Sequence, residues 1–297
     1  MEKMEIKNGF LTALGTPLDE FGMIDEASLR REIEMQIEAG VSGLLLMGTM
    51  GMLGCIPDRA YEPCIRIACD QVARRVPLLV GATDNSLARV KDKLSILKCY
   101  PVCPTLMPPY YFKMRDDKLV PFFLACAEMC PGPVFLYDHL PITKHKLMLE
   151  QVTELAEIPN ITGIKSADME LIRAMHAQDA EGKCGFTPII SDISFFAQAY
   201  EEGITHYLDG LFSCIPKSIG KAQKLLDKGD ITAAKHAFER MIAFRDELIA
   251  IDLWPAFSYA MNLLDCSGNY APDYEGQLTS SDKERVKELM RGLGEIA

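Results

Sequence analysis

Ile161-Thr162-Gly163-Ile164-Lys165-Ser166 is a short apolar run that ends in a lysine and is followed by a helical pattern. It reads as a buried strand whose last residue leaves the core at its carboxyl end. Lysine is unusual in that position: an ammonium in a poorly solvated pocket resists staying charged, which frees the neutral amine to act as a nucleophile. Twenty-eight positions before Lys165 stands Tyr137, in Gly132-Pro133-Val134-Phe135-Leu136-Tyr137-Asp138, a segment of the same form ending beside a titratable hydroxyl. One strand-helix unit separates the two. As parallel neighbours in one sheet, these strands would bring Tyr137 and Lys165 out side by side on one rim.

Outward from this pair the alternation repeats. Strand patterns occupy residues 9–16, 41–48, 77–83, 101–107, 133–137, 161–165, 187–191 and 205–212. Helical patterns occupy 25–39, 59–75, 86–98, 118–129, 144–156, 169–178 and 193–201, the first opened by Asp25 as an N-cap and closed by Gly40. Apolar runs without polar alternation argue for a parallel sheet covered by helices, and eight such units close a (β/α)8 TIM barrel. The rival, an open doubly wound sheet, would carry a Gly-x-Gly-x-x-Gly after its first strand, and none is present. After Pro216 only helical patterns follow, at 218–228, 231–250, 254–265 and 280–292. The first completes the barrel, so the expected division is a barrel over residues 1–228 and a C-terminal helical appendage of three helices over 229–297. The apolar faces of that appendage require a partner, the barrel or another subunit.

A chain of 297 residues can bury a large core. With 31 Lys and Arg against 42 Asp and Glu, its net charge of −11 argues against nucleic acid and anionic membrane as general partners. The first residues lack a continuous apolar segment, and no later stretch is long and uncharged enough to span a bilayer, so a cytoplasmic protein is expected. The ten cysteines form no Cys-x-x-Cys pair. Cys64, Cys69, Cys99, Cys103, Cys126, Cys130, Cys184, Cys214 and Cys266 read as small apolar residues in a reducing compartment, while Cys55, after a glycine-rich turn, reads as exposed. Cys126 and Cys130 share a helical face without a histidine or carboxylate cluster, so no metal site is expected there.

In a barrel of this kind the working face is the carboxyl rim of the strands. That rim carries Thr16, Gly48-Thr49-Met50-Gly51, Thr83-Asp84-Asn85, Pro108-Pro109-Tyr110-Tyr111, Tyr137-Asp138-His139, Lys165-Ser166, Ser191-Asp192 and Ser213. Hydroxyls, one lysine and few other charges dominate it. A neutral lysine amine adds to a ketone, and the resulting iminium is an electron sink that makes adjacent carbon-carbon cleavage feasible with no metal or cofactor. Proton transfer then needs a hydroxyl relay. The segment from Gly48 to Gly51 offers backbone amides for the carboxylate of a 2-keto acid and the Thr49 hydroxyl as a relay.

These residues resemble the dihydrodipicolinate synthase and N-acetylneuraminate lyase family of class I pyruvate aldolases, from about Gly9 to the C-terminal helices. The resemblance rests on Ala13-Leu14-Gly15-Thr16-Pro17, Gly48-Thr49-x-Gly51, Pro109-Tyr110-Tyr111, Tyr137 and Gly163-Ile164-Lys165, in that order and spacing. It implies that Lys165 forms the Schiff base with pyruvate or a pyruvate-containing substrate, and that Tyr137 passes the proton and orients the carboxylate. It further implies that Thr49 links Tyr137 to Tyr111, and that Tyr111 reaches into the site of a neighbouring subunit of a homotetramer, a dimer of dimers.

The departures from the family pattern are as informative. Met50 and Met52 replace a carboxylate-binding hydroxyl and the acidic residue of the family's Gly-Thr/Ser-Thr-Gly-Glu, leaving backbone amides at Gly48 and Met50 to bind substrate. The family's Tyr-Asn-x-Pro becomes Tyr137-Asp138-His139-Leu140-Pro141, one residue longer and more polar. Residues 142–146 lack the arginine that grips the second substrate in the lysine-pathway synthase, which counts against that activity. Asp138, His139, Asp192 and Ser213 suggest instead a pocket for a hydroxylated chain, as in sugar-acid aldolases or dehydratases. Two alternatives stay open: the same iminium serving a sugar-acid dehydratase, and a non-catalytic 2-keto-acid-binding relative. Locally, Lys165 could pair with Asp192 or Asp138, Tyr137 and Tyr111 could be half-buried packing residues, and Thr49 could cap the turn that follows it.

Overall fold

The computed structural model describes residues 5–180 and 185–297. Strands and helices follow in the order β1 (Gly9–Ala13), α1 (Glu26–Ala39), β2 (Gly43–Leu46), α2 (Asp58–Val72), β3 (Leu78–Gly81), α3 (Leu87–Leu97), β4 (Cys103–Leu106) and α4 (Leu119–Met129). They continue as β5 (Val134–Asp138), α5 (Leu140–Thr143), α6 (Leu149–Ala156), β6 (Ile161–Ser166), α7 (Met169–Ala180), β7 (Thr187–Ile190), α8 (Phe196–Glu201) and β8 (His206–Asp209). The chain ends in α9 (Pro216–Asp227), α10 (Ile231–Ile251), α11 (Leu253–Leu263) and α12 (Ser280–Leu293). The strands form one closed barrel in the order β1 to β8, the (β/α)8 architecture that the alternation predicts.

The chain divides into two compact units, one of Pro77–Leu208 with the residues up to Asn8, the other of Gly9–Val76 with Asp209–Ala297. The first contains β3 through β7 and most of β8. Within it β4, β5, β6 and β7 pair in parallel register, their residues buried on both faces, as a helix-covered parallel sheet requires. In the second, α9 packs on α1 and β1, α10 on α9, and α11 on the tight turn Leu211–Cys214. Phe10 stands edge-on to Phe212 at 5.5 Å and to Phe238 at 6.1 Å. Within this second unit the three C-terminal helices share a core with the first two strand-helix units.

Local signals explain most boundaries. Asp25 accepts from the Ser28 amide, Gly40 closes α1 in the left-handed region, and Ser86, Asp230 and Thr279 cap α3, α10 and α12 through their side chains. The helix expected from residue 144 begins only at Leu149. Lys144, at φ 61°, ends the short α5, and the Leu147 amide donates to Asp138, so the intervening chain cannot enter a helical ladder. Among the cysteines Cys55 is exposed as expected, but so is Cys99 in the turn after α3, and Cys69 is half-buried. Cys184 lies outside the described residues. No helix among the described residues is long and apolar enough to cross a membrane.

Candidate active site

Parallel pairing of β5 and β6 sets Tyr137 opposite Lys165 and Asp138 opposite Ser166. Side chains alternate along a strand, so Tyr137 and Lys165 share one face of the sheet while Asp138 and Ser166 share the other. The Lys165 Nζ lies 3.8 Å from the centroid of the Tyr137 ring, with Lys165 only 7% and Tyr137 only 4% exposed. Among the described residues this amine makes no ion pair and no hydrogen bond, which removes the alternative that Asp138 or Asp192 neutralises it. Below the pair, Gly163 and Phe135 occupy the same face. A Cβ on Gly163 would come within 2.2 Å of the Phe135 ring, so the glycine lets that ring form the floor.

Asp138 does not join this pair. It accepts from Ser166 Oγ at 2.8 Å and from the Leu147 amide at 3.0 Å, buried on the opposite face. Burial pushes its carboxyl up, against the two hydrogen bonds. Strand alternation thus places Asp138, expected to line a pocket for substrate hydroxyls, on the face away from Tyr137 and Lys165.

His139, two residues beyond Tyr137, returns to the same side. Its ring stacks on Tyr137 with centroids 5.5 Å apart and planes at 22°. Burial, and then the charge of Lys165, lower its ionisation to about 4, so the imidazole is neutral at physiological pH.

Asp192 caps the turn Ile193–Phe195 by accepting from the Ser194 amide at 2.9 Å. Tyr111 is 69% exposed and meets the more exposed Phe112 edge-on at 4.7 Å. Its backbone is fixed from the preceding rim turn: Asn85 Oδ1 accepts from the amides of both Tyr110 and Tyr111, and Thr83 Oγ1 accepts from Met107. Asp84, between them, is buried against Lys93 at 2.6 Å and Arg89 at 2.7 Å; these bonds outweigh its burial and hold its carboxyl at about 2.

The second unit carries the Gly-Thr-x-Gly segment. Met47 at φ 52° and Met52 at φ 54° both take the left-handed conformation, and the Met52 amide returns to the Thr49 carbonyl. A Cβ on Gly51 would meet the Met47 backbone at 2.8 Å, which explains the glycine, and Thr16 Oγ1 ties the Gly51 carbonyl at 2.8 Å. Such strain in a non-glycine turn is characteristic of functional loops. Gly48 is buried, Thr49 half-buried, and the Met50 side chain fills the space a Cβ on Gly210 would need.

Ser213 is placed otherwise than expected. Fully buried, it bonds Glu32 Oε1 at 2.8 Å and the Ala13 carbonyl at 3.2 Å, and it accepts from the Gly15 amide at 3.3 Å, so its hydroxyl belongs to an internal network rather than to a ligand pocket. Glu32 and Gln36 complete that network: Gln36 accepts from Thr12 and donates to the carbonyls of Phe212 and Ser213. Burial raises the Glu32 carboxyl to about 8. The available signal was their spacing with Leu29 and Ile33, which puts both polar residues on the buried stripe of α1.

A (β/α)8 barrel with a lysine and a tyrosine side by side at the ends of adjacent strands is the framework of lyases that act through a Schiff base, the class I aldolases. The chain belongs to the dihydrodipicolinate synthetase family, whose model matches residues 7–292, and is an enzyme of that aldolase class. It is 26% identical over 98% of its length to 4-hydroxy-tetrahydrodipicolinate synthase of Acidiphilium cryptum, covering 99% of that protein. It is 30% identical to the synthase of Xanthomonas axonopodis over 76% of this chain and 75% of that one. Its fold matches the prophage protein YagE of Escherichia coli K12, solved in complex with pyruvate, at a TM-score of 0.87 with 21% identity, covering 97% of this chain and 99% of that one. It also matches CdNal of Clostridium difficile, solved with mannosamine, at 0.86 with 18% identity, covering 96% and 99%.

Proposed function

We propose that the protein cleaves or condenses a pyruvate-containing 2-keto acid with a hydroxylated chain, through a Schiff base on Lys165. The observation that carries this reading is the buried Lys165 amine, 3.8 Å from the Tyr137 ring and without a carboxylate partner among the described residues. The neutral amine adds to the C2 carbonyl and water leaves, giving an iminium. The C3–C4 bonding pair then moves toward that iminium, an aldehyde departs, and the enamine left behind is protonated at C3 before hydrolysis releases pyruvate. Tyr137 passes protons in these steps, with Tyr111 as a further relay hydroxyl.

The proposal extends to a homotetramer. Tyr111, Phe112, Leu140 and Ile142 are large apolar residues left exposed, as a surface covered by a second subunit would be. The free thiols fit the reducing cytoplasm.

Borohydride added with pyruvate should give a covalent mass increase on the peptide containing Lys165. Absence of any adduct with pyruvate or a panel of 2-keto acids, under conditions that trap a known aldolase, overturns the Schiff-base reading.

A further inference from the structure

His139 stands where the polypeptide leaves β5, two residues past Tyr137 and on the same side, its ring nearly parallel to the phenol. Its carbonyl is engaged by Ile142 and Thr143, which fixes the backbone, yet among the described residues neither ring nitrogen makes a hydrogen bond. The contrast with other imidazoles is informative. His145 accepts from the Met114 amide, His206 meets the Ile6 carbonyl, and His236 meets Glu239. An imidazole oriented by stacking, beside a nucleophilic lysine and without a protein partner, is poised for a ligand.

We infer that His139 is a second proton-transfer group of this site, taking the proton from the C4 hydroxyl of a 4-hydroxy-2-keto acid bound as the Lys165 iminium. The inference rests on the Schiff-base reading above. As the C4 oxygen gives its proton to the imidazole, the former O–H electron pair becomes the second bond of the aldehyde carbonyl. The C3–C4 pair enters the iminium to form the enamine, and the imidazolium returns its proton to water. Condensation runs the same steps backward. Held neutral by burial and by Lys165, the ring is an acceptor at pH 7 and offers no positive charge to a second carboxylate. The substrate class is a 2-keto acid that carries a hydroxyl on C4.

Three measurements on the wild-type enzyme, His139→Asn and His139→Gln separate this role from the Schiff base itself. They are borohydride trapping with pyruvate, exchange of the pyruvate C3 protons with deuterated water, and pyruvate release from 2-keto-3-deoxygluconate. Both variants should trap pyruvate and exchange its protons within about threefold of wild type, while pyruvate release falls by about a hundredfold or more, the usual weight of a general base. Release within about threefold of wild type overturns the role of His139 while the iminium stands. Variants that no longer trap pyruvate also overturn it, because His139 would then be supporting Lys165. A wild-type enzyme that traps pyruvate but cleaves no 2-keto-3-deoxy acid overturns the inference alone; one that traps nothing overturns the Schiff base beneath it.

Discussion

Each compact unit removes an ionisable group from water, and the two do so in opposite ways. In one, Lys165 is 7% exposed and its amine lies 3.8 Å over the Tyr137 ring, with no carboxylate partner among the described residues. In the other, Glu32 is fully buried but held by the Gly15 amide and Ser213, with one carboxylate oxygen, Oε2, lacking a hydrogen-bond partner among the described residues. Burial alone therefore does not mark a reactive centre. The lysine lies at the carboxyl end of β6, whereas the glutamate lies in mid-helix on the buried stripe of α1, where its hydrogen bonds hold Gly15 and the turn Leu211–Cys214 to that helix.

The largest expected effect distinguishes the two outright. Lys165→Met should lower turnover at least about a thousandfold, since the nucleophile is gone, while leaving stability unchanged or higher by about 1 kcal/mol, because a buried amine without a counter-ion is removed. Steady-state assay beside thermal melting measures both, and a marked loss of stability would mean that the amine has a structural task.

The next effect lies in the pH dependence of folding. Glu32 rises from 4.5 to about 8 in the folded chain, so the fold prefers the protonated acid. Its contribution is complete below the unfolded value and declines by about 1.4 kcal/mol per pH unit as pH climbs toward the folded one. Glu32→Gln removes that slope: urea melts at pH 5 and pH 8 should show the variant gaining on wild type by about 3 kcal/mol. A constant difference between the two pH values would place Glu32 in contact with solvent. His139 works in the other direction: its ionisation is lowered from 6.5 to about 4, so its contribution is present above 6.5 and is lost as pH falls through 4. Acid should loosen the lysine corner and alkali the glutamate network.

The smallest effect concerns Ser213. Ser213→Ala should cost about 1–2 kcal/mol through loss of the bonds of its hydroxyl to Glu32 and the Ala13 carbonyl, with the Gly15 amide still on Glu32. KM for any 2-keto acid should not change. A shift in KM would return Ser213 to the substrate pocket.

Much of the fold was legible because apolar strands stop at glycine, proline and hydroxyl residues, and because Asp25, Ser86 and Thr279 announce their helices. The adjacency of Tyr137 and Lys165 was legible as well, since consecutive strand-helix units in a parallel sheet become neighbours. What could not be read was the facing of single polar residues. Asp138 follows Tyr137 directly, and alternation turns it away. The partners of Ser213, Ala13 and Glu32, lie nearly two hundred positions away, outside any local pattern. The late start of α6 depended on the Leu147 amide finding Asp138 across the sequence.

Asn85 uses one amide oxygen to receive two successive backbone donors from the following rim loop, at 3.1 and 2.8 Å. The aim of Tyr111 is thus decided by the turn after β3 as well as by its own strand. Transplanting the tyrosine loop into another barrel would misdirect the phenol unless residues 83–85 travelled with it, and a one-residue insertion in that earlier turn would swing the ring as surely as replacing it.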